Sequence, residues 1–155
     1  MVEIAQLPLA TRIFLQAYRW QRIDPVPWAP LRKPLAETKI AIVSTAGLVP
    51  PDQAPFDDDV RGGDWSWREV PDTIDVATLV DAHRSTSYDH AGVRADPNVG
   101  FPLDRLRELG LRTNHRHYSF MGSITAPRRL MRESAPEVAE QLAADGVDAV
   151  LLVPI

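Results

Sequence analysis

Lys39-Ile-Ala-Ile-Val-Ser44 and Asp148-Ala-Val-Leu-Leu-Val-Pro-Ile155 are the stretches that decide the fold. Each is an almost unbroken apolar run rich in β-branched residues, without the alternation of a strand that has one face in water. Continuous runs of this kind belong to strands covered on both faces, as in parallel sheets. The first is expected to be a central strand, and the two are expected to be buried parallel neighbours or near-neighbours. On that reading Leu152 is a core residue, and its replacement by alanine would cost about 2–5 kcal/mol.

Helical patterns lie around these strands. From Leu9 to Trp20 the apolar residues Leu9, Ile13, Phe14, Ala17, Tyr18 and Trp20 recur at helical spacing, which predicts an N-terminal amphipathic helix. Pro25, Pro27, Pro30 and Pro34 predict an extended connector over 24–37, pinned to the body by Trp28. Pro102 to Leu109, with leucine at every third position and Gly110 behind it, reads as a short helix. Ser134-Ala-Pro-Glu137 matches a capping box before Val138, Ala139 and Leu142. Trp65 to Val70 and His115 to Phe120 suit short strands, the latter ended by Met121-Gly122-Ser123. Ile74 to Asp81 suits either a helix or a strand. Two units follow: residues 1–37, helix and proline-rich connector, and residues 38–155, a layered α/β domain with a mainly parallel sheet, Rossmann-like or flavodoxin-like.

Composition narrows the functional classes. The 155 residues are 45% hydrophobic and 25% charged, which suits one globular domain. A net charge of −4 without Lys/Arg clusters argues against nucleic acid or an anionic membrane as partner. Neither a signal peptide nor an 18-residue apolar run is present, so a cytoplasmic location is expected. With no cysteine, disulfides, thiolate metal sites and thiol catalysis are excluded within these residues. Asp57 to Asp59 lie in a loop rich in proline and glycine, where an acidic solvated surface is a better reading than a cation site. The Ser44-Thr45-Ala46-Gly47 turn lacks the fingerprints of nucleotide loops, and Ser85, Ser87 and Ser119 lack the context of a hydrolase nucleophile.

Open α/β sheets place ligands at the carboxyl ends of their strands, which singles out Ser44 to Leu48 and whatever follows Ile155. The densest polar stretch is His83 to Asn98, HRSTSYDHAGVRADPN, read as a loop. His83 and His90 are proton carriers near neutral pH, which Asp89 or Asp96 could orient, and local turns are the structural alternative. His115 and His117 stand two apart, the spacing that turns both to one face of a strand and suits metal ligands, but a lone HxH is a weak signal and no metal site is assigned. Arg105 is either a carboxylate clamp or a surface arginine, with Arg107, Arg112 and Arg116 as competitors.

Four segments, in order, carry a resemblance: Ile42-Val-Ser-Thr-Ala-Gly-Leu48, Asp96-Pro-Asn-Val-Gly-Phe-Pro-Leu-Asp-Arg-Leu-Arg-Glu-Leu109, His117-Tyr-Ser-Phe-Met-Gly122 and Gly146-Val-Asp-Ala-Val-Leu-Leu-Val-Pro-Ile155. They resemble the selenoprotein B family of glycine, sarcosine, betaine and D-proline reductases, over nearly the whole chain from Trp28. The resemblance implies reductive C–N cleavage of an amino-acid-like substrate: a selenolate or thiolate attacks carbon, an amine leaves, and a thiol partner protein resolves the adduct. It puts the selenocysteine or cysteine directly after Ile155, so no cofactor is expected within these residues, which would be inactive as given. Termination at a selenocysteine codon is the expectation, a deliberately cut chain or a short paralogue the alternatives. The resemblance further implies catalytic roles for His117 and Ser119 and, more loosely, His83, with His117 or His83 as proton donor to the leaving amine. Substrate contacts are expected from Ser44, Thr45, Ser85, Asp96, Asn98, Arg105, Tyr118 and Gly122, and Asp104 lies in the same motif. Exposed sheet surface beyond Ile155 predicts a homo-oligomer. Two other classes stand beside the reductase: a non-enzymatic docking subunit for a redox partner, and a histidine-based metal enzyme.

Overall fold

The computed structural model describes residues 4–18 and 22–155, which divide into two compact units, Met1–Pro30 and Leu31–Ile155. In the first unit, α1 (Leu9–Ala17) follows Pro8, and Leu9, Ile13 and Phe14 on it are exposed. The expected helix is thus present to Ala17, while Arg19 and Trp20 lie outside the described residues. Trp28, expected to pin the connector, is 86% exposed.

The second unit runs β1 (Lys39–Ser44), β2 (Leu48–Val49), β3 (Trp67–Pro71), β4 (Val80–Asp81), α2 (His90–Ala95), α3 (Leu103–Glu108), β5 (Arg112–Thr113), β6 (Arg116–Phe120), α4 (Ala135–Ala144) and β7 (Ala149–Val153). It is an α/β fold with a mainly parallel sheet. β1 is central: β5 and β6 share one of its edges, β7 takes the other, and all three run parallel to it. β3 closes the far side, antiparallel to β6, while β2 and β4 form a separate two-stranded ribbon.

The unbroken apolar run of β1 has the expected cause. Ile40 and Ile42 face a core with Phe101, Leu103 and Leu106, whereas Ala41 packs on the opposite side with Tyr118, Val138 and Leu142. Two helices, α3 and α4, therefore cover the two faces of one strand.

β7 departs from expectation. It is a parallel neighbour of β1 over five residues, Ile40↔Ala149 to Ser44↔Val153, but it is an edge strand, with Val150, Leu151 and Leu152 exposed. Leu152 is 67% exposed and is not a core residue. Apolar runs mark strands suited to burial; they do not say whether a cover is present.

The helix at Ser134 also begins differently. Ser134 has helical dihedrals and no capping hydrogen bond, so no capping box forms. A π-helical turn, Leu130–Ser134, leads straight into α4, and the Ala135 N–H reaches back five residues to the Leu130 carbonyl. Pro136 explains it: proline has no N–H to donate and its ring crowds the carbonyl four residues back, so a wider turn relieves the helix. The Ser134 hydroxyl donates instead to the Trp65 carbonyl. The ambiguous Ile74 to Asp81 stretch is both a 3-10 turn, Val76–Thr78, and the short β4. Among the described residues no helix is long and apolar enough to cross a membrane.

Candidate functional site

Parallel topology brings the carboxyl ends of β1, β6 and β7 to one edge of the sheet, and the turn after β4 arrives there too. Thr45 follows β1. Its N–H donates to the Val153 carbonyl at 3.0 Å, and its hydroxyl accepts from the Ile155 N–H at 2.9 Å and faces the Ile155 carbonyl at 3.3 Å. Thr45 therefore fixes the backbone immediately after β7. Ser44 does not reach that surface: fully buried, its hydroxyl donates to the Gly100 carbonyl at 2.6 Å and accepts from the Ala46 N–H.

His83, Ser85, Ser87, Tyr88, Ser123 and Ile155 line a cavity of about 230 Å³ at this edge. His83 approaches through two glycines. A Cβ on Gly47 (φ +66°) would lie 2.7 to 2.9 Å from His83 atoms, and one on Gly122 (φ +69°) would lie 2.5 Å from His83 Nε2 and collide with the Thr45 carbonyl. Any side chain at either position would push the imidazole away. The ring stacks on Tyr88 with centroids 4.1 Å apart. Burial, reinforced by the nearby His90, holds the His83 imidazole below its ordinary pKa. Burial and the charges of Asp81 and Asp89 push the Tyr88 hydroxyl up to about 12, so it stays a phenol. Neither His83 Nε2 nor the Tyr88 hydroxyl, both buried atoms, has a hydrogen-bond partner among the described residues.

The polar stretch behind this cavity is more ordered than a loop. Asp89 caps α2 by accepting from the Gly92 N–H, and Asp96 caps a 3-10 turn, Pro97–Val99, by accepting from the Asn98 N–H. Asp81 gathers the cluster: its carboxylate accepts from the His83 N–H and His90 Nδ1, and pairs with Arg94 Nε at 3.0 Å.

The remaining expected residues lie elsewhere or point elsewhere. His117 is fully buried; its Nδ1 accepts from the Ile42 N–H at 3.0 Å, and its Nε2 faces Asp72 Oδ1 at 3.2 Å. It fills the gap between β5 and β6 along β1, where its ring serves the Ile42 N–H in place of a backbone carbonyl. Burial lowers its pKa against the opposing pull of Asp72. His115 does not share a site with it, standing 3.7 Å from Asp145. Among the described residues no three His, Cys, Asp or Glu side chains are grouped to hold a metal ion. Ser119 is buried, with no partner for its hydroxyl among the described residues. Tyr118 donates to Gln141 at 2.7 Å. Asn98 and Asp104 bond each other, Arg107 ties Asp104 to the Asp72 and Ile74 carbonyls, and Arg105 pairs with Glu108 in solvent. Of the eleven residues expected to act in catalysis or substrate contact, only His83, Thr45, Ser85 and Gly122 converge on the cavity edge. Ser87, Tyr88 and Ser123 were not among the expected ligand contacts; the polar density of His83 to Asn98 was their signal, except for Ser123.

The sequence profile of the glycine/sarcosine/betaine reductase selenoprotein B family matches residues 2–154. The chain belongs to that family. It is 33% identical over 144 residues to the D-proline reductase subunit gamma of Acetoanaerobium sticklandii, covering 89% of this chain and 57% of that protein. The betaine reductase complex component B subunit beta of Peptoclostridium acidaminophilum is 31% identical over 126 residues, covering 77% of this chain and 28% of its own length. The glycine reductase complex component B subunit gamma of Symbiobacterium thermophilum is 30% identical over 159 residues, covering 97% and 36%. The chain thus spans between about a quarter and three fifths of the length of these relatives. No solved structure matches it significantly.

Proposed function

We propose that this chain forms the substrate-facing part of a cytoplasmic selenol- or thiol-dependent reductase subunit, acting in reductive C–N cleavage of an amino-acid-like compound. The observation that carries the reading is the cavity beside Ile155, where the ends of three parallel strands meet His83. The family places its selenocysteine or cysteine directly after the segment that β7 matches, and Thr45 holds the backbone at that point. The chalcogen would attack carbon, the carbon–nitrogen bond would break, the amine would leave with a proton, and a thiol partner protein would reduce the resulting adduct.

Of the two histidines with an expected catalytic role, His83 is favoured, because His117 has both ring nitrogens engaged and no exposure. Ser85 stands beside His83 in the cavity lining. We assign His117, Tyr118, Asp96, Asn98 and Asp104 to holding the framework, and Arg105 to the surface. The second reading, a docking subunit without its own chemistry, draws on the relatives' names as subunits and complex components.

A cysteine or selenocysteine placed after Ile155, in the presence of the partner subunits of such a complex, separates the two. Dithiol-dependent release of amine from glycine, sarcosine or betaine, or reductive ring opening of D-proline, is expected with it and not with serine at that position. Equal turnover with serine would overturn the reductase reading and leave the docking role.

A further inference from the structure

The first unit turns its apolar side outward. On α1, Leu9, Ile13, Phe14 and Ala17 fall on one side at helical spacing, and no residue of the helix is buried. Leu9, Ile13 and Phe14 are each more than half exposed, whereas Arg12 and Leu15, on the opposite side, are partly buried. The Phe14 ring lies 5.7 Å from that of Tyr18, which extends the apolar side and is itself about half exposed. Farther on, Ile23, Val26 and Trp28 are each more than half exposed. A nine-residue helix is marginal in water unless its apolar face is packed, so a face left open in this way marks a missing partner.

Charge says what kind of partner. The acid excess that argues against an anionic membrane for the chain as a whole belongs to the second unit, Leu31–Ile155, where nineteen acids face fourteen bases. From Ile4 to Ile23 there are three arginines, Arg12, Arg19 and Arg22, and no acid at all. Arginine among aromatic and aliphatic side chains is the composition of helices that lie in a membrane surface, apolar side among the lipid headgroups and guanidinium groups against phosphate. At about 13 Å, α1 is too short to cross a bilayer and suited to lying on one. Apolar groups spread over a helix and a proline-rich stretch also fit a fluid surface, which needs no matching shape.

We infer that the first unit is a peripheral membrane anchor: α1 lies in the headgroup layer of an anionic bilayer, with Leu9, Ile13 and Phe14 inserted and Arg22 paired with lipid phosphate. Tyr18 and Trp28 stand at the level where amphipathic rings favour the boundary between lipid and water. With few inserted side chains and few arginines the binding is reversible and weakened by salt. It holds the chain at the membrane face without crossing it, and it is independent of the chemistry proposed for the second unit.

The test is co-sedimentation of the 155-residue chain with vesicles of phosphatidylglycerol and phosphatidylcholine in equal parts, beside vesicles of phosphatidylcholine alone. Saturable binding to the anionic vesicles is expected at about 0.1 M salt and its loss at about 1 M, where the screening length shrinks from about 10 Å to about 3 Å. Phe14→Asp, at an exposed position, should weaken binding about tenfold or more, the worth of one large apolar side chain leaving water. Arg22→Gln should weaken it about fivefold, the worth of one basic residue at such a surface. Leu152→Lys, which alters the exposed sheet edge of the second unit, should bind as the unaltered chain does. Equal binding to both kinds of vesicle, full binding by Phe14→Asp, or loss of binding in Leu152→Lys would overturn the inference. Failure to bind the anionic vesicles at all would overturn it too, and would leave this face to an acidic protein surface.

Discussion

Two buried histidines, His83 and His117, stand in environments that differ by one hydrogen bond. His117 has a partner on each ring nitrogen and completes the hydrogen bonding of β1; His83 has one partner and one bare donor. Burial holds both below the ordinary imidazole pKa of about 6.5. The sign of the pH effect follows. As pH falls through that value the unfolded chain takes up protons that the folded chain resists, so stability falls from about pH 7 to pH 5 and is regained above. Urea unfolding midpoints should move accordingly. His117→Gln, whose amide oxygen can still accept the Ile42 N–H, should flatten part of that slope; an unaltered slope would show that His117 does not contribute. Asp145 acts at lower pH. The Arg116 guanidinium, bound through Nε at 2.7 Å and Nη2 at 2.9 Å, lowers its pKa to about 2, with Asn114 adding a further hydrogen bond. Its stabilisation is present above about pH 4 and lost as pH falls toward 2. Asp145→Asn should cost about 1.5–3 kcal/mol at neutral pH, read from denaturant unfolding. Residue types were legible in the sequence, but their partners were not. Ser44 and Thr45 were singled out correctly as strand-end residues, yet their roles depend on Gly100 and Ile155, 56 and 110 positions away.

Elements were more legible than partners because periodicity is local. β1, β3, β6, α3 and α4 all form where their patterns predict them, and Gly110 ends α3 with φ +65°. The failures are equally physical. A sequence match to a capping box did not reveal that the helix had already begun before Ser134, with Pro136 forcing a π turn. The polar stretch 83–98 was read as loop because short capped turns have no periodicity to detect. The two apolar strands look alike in sequence but differ in cover, and substitution separates them. Ile42→Ala, at a fully buried position, should cost about 2–5 kcal/mol. Leu152→Ala, on the exposed edge, should change stability by no more than about 0.5 kcal/mol. Equal losses in chemical denaturation would mean that β7 is covered in solution.

At the scale of the whole molecule, that cover is the open question, and the exposed groups bear on it. β7 offers Val150, Leu151 and Leu152 to solvent, with Ile155 beside them. Behind the strand, a groove of about 540 Å³ runs between α4 and the sheet, lined by Val43, Phe120, Val138, Leu142 and Leu152 among others. An apolar edge strand is a template for pairing, because its outer N–H and C=O groups need partners and its side chains gain by leaving water. Family membership was legible from four sequence segments, but the consequence for assembly comes from topology: only the sheet order makes β7 an edge. The 155-residue chain is therefore expected to self-associate through β7 at concentrations of about 10⁻⁵ M, the micromolar range of a modest interface. Leu152→Lys places a charge on that edge, the device by which natural sheets block pairing, and should shift the population toward single chains without unfolding them. Sedimentation equilibrium reads both species. A single-chain mass for the unaltered protein throughout that range, or a mass unaffected by the lysine, would locate the association elsewhere or remove it.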